Sequence, residues 1–346
     1  MTTLAPTPPR SPWQRFYGAA HRLRARWYAG RAARLPIPVL SIGNLHWGGT
    51  GKTPLVAAVA GWMAERGVRV CVLSRGYKSR GHGVRVVAGF SGGPLLAAPM
   101  AGDEPRLLAE QLPGVAVVVS PDRAAGGRVA LAELQPPPQL FLLDDGFSHL
   151  ALARDLDLLV LPAADPFGGG RLLPSGRLRE PLASAARAQA LLLSGPGAES
   201  PLAQEVGQAL RPFGFAGQAF AAPVVALAPA TLEGEPIPAG TPCLLVSGIA
   251  RPERFRPAAE QAGLVVAGER AFPDHEPYAD AALAAIELGF RQTGARFVLT
   301  TGKDLVKLRG RLPLPLAELP VRSRPEPAFW TWLEERLASL GLEVSR

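Results

Sequence analysis

The chain is poor in cysteine and lysine, and it carries no acidic side chain before Glu65. Its two cysteines, Cys71 and Cys243, sit inside the apolar runs 70–73 and 243–246, so they read as buried strand thiols. That excludes a disulfide framework or a cysteine metal cluster and fits a reducing compartment. No apolar run reaches the roughly 18 uninterrupted residues that a membrane span needs. Arginines stand where a secretory signal would place an apolar region, so no such signal is expected. No internal repeat is visible, and the Pro-Pro-Pro at 136–138 reads as a stiff turn. The 33 arginines outnumber four lysines, Lys52, Lys78, Lys303 and Lys307, which suggests that lysine is kept where a compact ammonium is required. Lys303 and Lys307 flank Asp304 just after the apolar run 297–300, at a strand's carboxyl end, where α/β sheets bind ligands. Lys78 falls in a loop and reads as solvated.

What the chain does have is a phosphate cradle. The apolar run from Val39 breaks into Gly43-Asn44-Leu45-His46-Trp47-Gly48-Gly49-Thr50-Gly51-Lys52-Thr53-Pro54. Glycines at 48, 49 and 51 let backbone N–H groups converge on phosphate oxygens, Lys52 places a charge at the β/γ-phosphates, and the Thr53 hydroxyl suits Mg²⁺. Pro54 fits a first helical turn. His46 stands where the phosphate-loop pattern usually has its first glycine.

At 346 residues the chain can bury a sizeable core, with about two domains expected. Strands are predicted at 38–43, 68–74, 84–88, 115–120, 139–143, 157–161 and 190–193, and helices at 53–66, 104–112, 123–134 and 199–211. That alternation predicts an α/β fold of the P-loop NTPase type, a mostly parallel sheet with flanking helices. A Pro-rich linker is expected over 221–242. Beyond it, strands at 243–247, 264–269 and 296–301 with helices at 252–262 and 278–292 predict a smaller C-terminal α/β domain over 243–346. The phosphate-loop domain then covers 36–220, and the helix at 327–340 is left to pack on either domain.

Residues 1–35 form a purely basic segment in a chain of net charge +8. At 100° per residue, Trp13, Phe16, Tyr17, Ala20, Leu23, Trp27 and Tyr28 fall within roughly 140°, with Arg15, Arg22 and Arg26 opposite. Two readings stay open: an amphipathic helix lying on an anionic membrane, or a helix packed on its own domain. Arg24 lands inside the apolar arc, where its stem can snorkel.

Acidic residues complete the nucleotide site. The apolar strand 139–143 ends in Asp144-Asp145-Gly146, a Walker B arrangement for Mg²⁺. Asp103 opens a predicted helix and is either its N-cap or a general base. His275, between Asp274 and Glu276, is either a loop histidine or a proton relay. The loop 165–181 carries three arginines ahead of Glu180 and suits binding of acidic groups or a lid.

Together these residues resemble the tetraacyldisaccharide 4'-kinase (lipid A 4'-kinase, LpxK) family. The resemblance is carried by Gly43-Asn44-Leu45 with 48–54, Leu73-Ser74-Arg75-Gly76-Tyr77, Gly102-Asp103-Glu104-Pro105, Pro121-Asp122-Arg123, Asp144-Asp145-Gly146-Phe147 with His149, 170–174 through Arg179-Glu180-Pro181, and Phe272 with Asp274-His275. It runs from about Trp13 to about Lys307 in family order. The resemblance implies transfer of the ATP γ-phosphate to the 4'-hydroxyl of a tetraacyldisaccharide 1-phosphate lipid, giving lipid IVA, at the cytoplasmic face of the bacterial inner membrane. It also implies an ATP cradle at His46, Trp47, Gly48, Gly49, Thr50, Gly51, Lys52 and Thr53, and Mg²⁺ on Thr53 with Asp144, Asp145 and Glu180. Asp103 is the implied base, assisted by His275, and Arg75, Tyr77, Arg123, His149 and Arg179 are the implied substrate-cleft residues. The chain departs from the family pattern at His46, at Ser148 and at Gly302, which replaces the acidic residue of a Thr-Glu-Lys-Asp run.

Two other classes share a phosphate loop. A GTPase switch or metallochaperone calls for an Asn/Thr-Lys-x-Asp motif, whereas Lys303 and Asp304 are adjacent here, and no Cys/His metal cluster appears. A nucleic-acid-binding ATPase calls for aromatics interleaved with arginines, whereas here they cluster on one helical face, so no nucleic-acid partner is expected. No obligate protein partner is evident.

Overall fold

The computed structural model describes residues 12–92 and 96–344. Residues 1–11 of the basic N-terminal segment and 345–346 of the C-terminal domain expected from sequence lie outside the described residues. After helix α1 (Pro12–Tyr28), the chain runs β1 (Val39–Gly43), α2 (Lys52–Glu65), β2 (Val70–Ser74), β3 (Arg85–Ala88), α3 (Ala98–Ala101), α4 (Asp103–Gln111), β4 (Ala116–Val119), α5 (Arg123–Glu133), β5 (Leu140–Asp144), β6 (Leu156–Pro162), β7 (Ala190–Ser194), α6 (Ser200–Leu210) and β8 (Gln218–Ala222). These strands form one eight-stranded sheet in the order β3-β4-β2-β5-β1-β6-β7-β8. Every pairing is parallel except β3 with β4.

Both faces of this sheet are covered, which is why its strands read as unbroken apolar runs. Leu40 and Ile42 of β1 face the core that buries Leu55, Val56, Val59 and Met63 of α2, while Val39 joins Phe141 and Leu143 in the core on the opposite side. With β1 and β5 adjacent in register, Ile42 opposite Asp144, the phosphate loop and the Asp-Asp pair emerge side by side at the carboxyl edge.

The chain then forms β9 (Val224–Ala226), β10 (Ala230–Thr231), β11 (Pro242–Ser247), α7 (Phe255–Gln261), β12 (Val265–Ala271), α8 (Asp280–Thr293), β13 (Phe297–Thr300), α9 (Gly302–Leu308), β14 (Leu316–Glu318), β15 (Val321–Ser323) and α10 (Pro327–Ser339). The second sheet has the order β10-β14-β13-β11-β12, parallel but for the β10 edge. The segment expected as a linker is partly strand: Ala221 and Ala222 finish β8, β9 pairs antiparallel with β15, and β10 joins the second sheet. Its prolines had suggested a coil, but they fall between these short pieces and leave the pairing N–H groups free.

Helix α10 returns to the large sheet. Phe329, Trp332, Leu333 and Leu337 share one helical face and enter the same core as α2, with Trp330 stacked on Trp62 at 5.1 Å and Phe329 edge-on to Phe220. Phe329 is fully buried, so Phe329→Ala should cost about 3–5 kcal/mol of unfolding free energy through lost burial and the cavity left behind. Urea melts of the two proteins measure this, and a loss below about 1 kcal/mol would contradict the packing.

Candidate active site

The cradle is built where β1 ends and α2 begins. A Cβ at Gly43 would lie 2.5 Å from that of Phe147, so only glycine lets β1 end against the segment after β5. Gly51 is left-handed at φ 80, and a Cβ there would meet Ser194 Oγ at 2.3 Å. Buried Asn44 closes the loop by donating from Nδ2 to Thr50 Oγ1 at 2.7 Å. His46 lies under the loop, donating from Nε2 to the Asp165 carbonyl at 3.1 Å, and the Trp47 N–H donates to Arg177, so loop 165–181 is tied to the cradle. The Trp47 ring itself is exposed.

Lys52, the first residue of α2, points across to β5: its Nζ is 3.4 Å from Asp145 Oδ1. Arg179 grips both Asp145 oxygens and also donates to the Asn44 carbonyl. Burial works against ionisation of Asp145, but Lys52 and Arg179 outweigh it and hold the carboxyl far below the usual range. Asp144 behaves in the opposite way. Burial, then Glu104 and Asp145, push it up to about 7, although it accepts from Ser74 Oγ at 3.1 Å. Buried Arg123 lies near Asp144 and Arg75, and its Nε finds no hydrogen-bond partner among the described residues.

The second sheet contributes from the loop after β12 and from α9. His275 Nδ1 lies 3.2 Å from Asp103 Oδ2, and Tyr77 packs edge-on against the imidazole at 5.3 Å. Lys303 Nζ sits 3.0 Å from His275 Nε2 and 3.0 Å from Asp274 Oδ1. An ammonium offers only donors, so Nε2 is the accepting nitrogen and Nδ1 carries the proton that His275 donates to Asp103. Asp103 is the first residue of α4, with Gly102 rather than Asp103 in the N-cap position. Burial opposes its ionisation, but the bond from His275 and the charge of Lys307 outweigh it and depress its pKa.

The structure does not bring Glu180 to the metal group expected from sequence. Its Oε1 accepts from Ser148, while its Oε2 meets Arg187 at 2.7 Å and His21 of α1 at 3.3 Å. The reason is charge pairing: a carboxylate only 2% exposed requires a cation, which Arg187 supplies, with His21 of α1 packed beside it. Sequence reading missed His21 and Arg187 because nothing in the local pattern marks them. His149 lies apart from the cradle, lining an open cavity of about 570 Å³ with Trp27, Tyr28, Arg31, Asp122 and Arg128. Gly302 has its own reason: a Cβ there would lie 2.5 Å from Glu318 Oε1.

A family model described as tetraacyldisaccharide-1-P 4'-kinase matches residues 10–338. The chain belongs to the LpxK family. Tetraacyldisaccharide 4'-kinase of Pelobacter propionicus is 40% identical over 313 residues, covering 86% of this chain and 82% of the relative. That of Anaeromyxobacter sp. strain Fw109-5 is 45% identical over 281 residues, covering 80% and 75%. A crystal structure of LpxK from Aquifex aeolicus, in its "apo" form in complex with ATP, superposes with a TM-score of 0.74 at 33% identity, covering 95% of this chain and 97% of that one. This LpxK family member is therefore a kinase with the expected P-loop α/β fold.

Burial of His46 lowers its pKa to about 4. The unfolded chain takes up that proton near 6.5 and the folded chain only near 4, so stability is lost as pH falls through this window, by at most about 3 kcal/mol. His46→Gln, which keeps a donor for Asp165, should flatten this part of the stability profile. Chemical melts between pH 4 and 7 measure it, and an unchanged slope would show that His46 is not the group responsible.

Proposed function

We propose that this chain transfers the γ-phosphoryl group of ATP to the 4'-hydroxyl of a tetraacylated disaccharide 1-phosphate. What supports the proposal is the Lys52 cradle set against Asp145, with Asp144 feeling the charge of Glu104, whose neighbour Asp103 pairs with His275 from the second sheet. A sugar hydroxyl is a weak nucleophile, and phosphoryl transfer is accelerated mainly by positioning and charge neutralisation. Asp103 accepts the hydroxyl proton, while His275 holds the carboxylate in place. Lys52 meets the phosphates, with Asp145 and Arg179 fixing its direction.

The residues fit Mg²⁺. Burial above all, and then the charges of Glu104 and Asp145, make Asp144 resist ionisation, a condition that a divalent cation would relieve. Thr53, Asp144 and Asp145 would hold the ion, without Glu180. When bound, it neutralises charge on the phosphate oxygens. Arg123 lies near Asp144 and Arg75, Tyr77 packs on His275, and the cavity lined by His149 suits the disaccharide, with Arg31 and Arg128 for its anionic group.

The acceptor's acyl chains place it at a bilayer, and α1 offers the means to reach it. Among the described residues no helix is long and apolar enough to cross a membrane. Helix α1 docks through His21, through Tyr17 Oη on the Arg179 carbonyl and through Trp13 Nε1 on the Leu173 carbonyl. Phe16, Leu23 and Trp27 remain 65%, 70% and 55% exposed. We read this face as lying on the cytoplasmic surface of the inner membrane, each side chain worth about 1.5–3 kcal/mol if fully inserted and each nearby arginine about 1 kcal/mol with anionic lipid.

Lys52→Ala should nearly abolish phosphate transfer from ATP to the lipid disaccharide with the melting temperature preserved, and near-native turnover would sink the kinase mechanism. Asp103→Ala should lower kcat about 10²-fold or more with little change in KM for ATP. For the membrane face, replacing Phe16, Leu23 and Trp27 with serine should abolish flotation with anionic vesicles while leaving the fold intact. Equal flotation would refute that reading.

A further inference from the structure

Lys307 lies outside the residues assigned so far, yet its ammonium reaches the reacting carboxylate from the other sheet. It sits one turn beyond Lys303 on α9, with its side chain 7% exposed. Its Nζ is 3.2 Å from Asp103 Oδ2 and 3.0 Å from Asp304 Oδ1. Asp304 is fully buried, and its Oδ2 accepts from the Gly248 N–H at 2.9 Å and from Thr301 Oγ1 at 2.8 Å. The ammonium also stands 5.2 Å from the ring centroid of Tyr278, which is fully buried. Lys307 is thus clamped on one side by a fixed carboxylate and an aromatic face, and its remaining side is spent on Asp103.

Both contacts to the Asp103 carboxylate, from His275 Nδ1 and from Lys307 Nζ, fall on Oδ2. Among the described residues Oδ1 makes no hydrogen bond. We propose that Lys307 is a positioning residue for phosphoryl transfer: with His275 it pins Oδ2 of Asp103, which fixes the carboxylate plane and leaves Oδ1 as the oxygen that takes the acceptor's proton. This rests on the reading of Asp103 as the base.

A structural ion pair between Lys307 and Asp304 alone would not need Asp103. Such a pair contributes little net stability, because desolvation offsets the attraction. A cation held by one buried carboxylate and shared with a second, on a helix of the other sheet, instead determines the geometry of that second group. Misplacing a reacting group by about 1 Å costs up to about 10²-fold in rate.

The test uses the full chain, ATP and the lipid disaccharide acceptor. Lys307→Met should lower kcat at least about tenfold with KM for ATP changed less than about twofold, and Lys307→Arg should recover part of the loss. Asp103 is faced by His275 from the loop after β12, by Lys307, Lys303 and Asp304 from α9, by its neighbour Glu104 and by Tyr278. Removing Lys307 leaves this set more negative, so the acidic limb of the kcat profile should move to higher pH.

Because Lys307→Met strands the Asp304 charge, Lys307→Met/Asp304→Asn serves as the second variant, in which the amide oxygen keeps the Gly248 and Thr301 bonds. It should regain melting temperature but not kcat. Recovery of both would show a merely structural role and overturn the proposal. In an Asp103→Ala background, Lys307→Met should cost nothing further, since it acts through Asp103, and an additional tenfold loss would also overturn it. If Asp103→Ala itself keeps its kcat, the base reading falls and this inference with it. If Asp103→Ala is crippled and Lys307→Met is not, this inference falls alone.

Discussion

One ion triad, Lys52–Asp145–Arg179, organises the rest of the site. Asp145 sits in left-handed backbone at φ 53, directly after β5, a strained place for a residue with a side chain. Two cations hold it there. One belongs to the phosphate loop and the other to loop 165–181, so a single carboxylate joins the cradle, the Walker B strand and the covering loop. The next residue along, Glu180, carries the linkage into α1 through His21. The N-terminal helix is therefore three side-chain contacts and one peptide bond away from the phosphate-binding ammonium.

Charge also explains why the two adjacent aspartates differ so sharply. Asp145 has its cations within reach and stays ionised, while Asp144 faces burial and two other carboxylates and tends to hold its proton. The protein thus keeps one acid permanently charged to orient Lys52 and leaves the other in want of a counter-charge. That contrast is what supports the proposed Mg²⁺ site, since a divalent cation would relieve the cost of ionising Asp144.

Much of this was legible in sequence because it is local. The strands of the large sheet show as apolar runs since both of its faces are covered, and the phosphate loop and the Asp-Asp pair each sit at a strand end. Residues that acquire meaning through distant partners were not legible. Glu180 was expected at the metal because its neighbours fit a known motif, but its actual partners are His21, Ser148 and Arg187. The short strands β9 and β10 read as linker because their partners, β15 and β14, lie far along the chain. Helix α9 was missed for its brevity, although Thr301 caps it by accepting from the Asp304 N–H. The aromatic arc of α1 left two readings open, and the helix both docks, through His21 and the polar atoms of Trp13 and Tyr17, and leaves Phe16, Leu23 and Trp27 exposed.

Position 302 shows how a departure from a family pattern can be absorbed. The space a Cβ would need there is held by the Glu318 carboxylate, which reaches in from β14. Burial raises the pKa of Glu318, a sign that its charge is poorly solvated. The acidic group missing from the start of α9 is therefore supplied from the neighbouring strand. A side chain placed at 302 would therefore have to swing the Glu318 carboxylate aside, so the start of α9 and the end of β14 are mechanically linked through the movable tip of one glutamate.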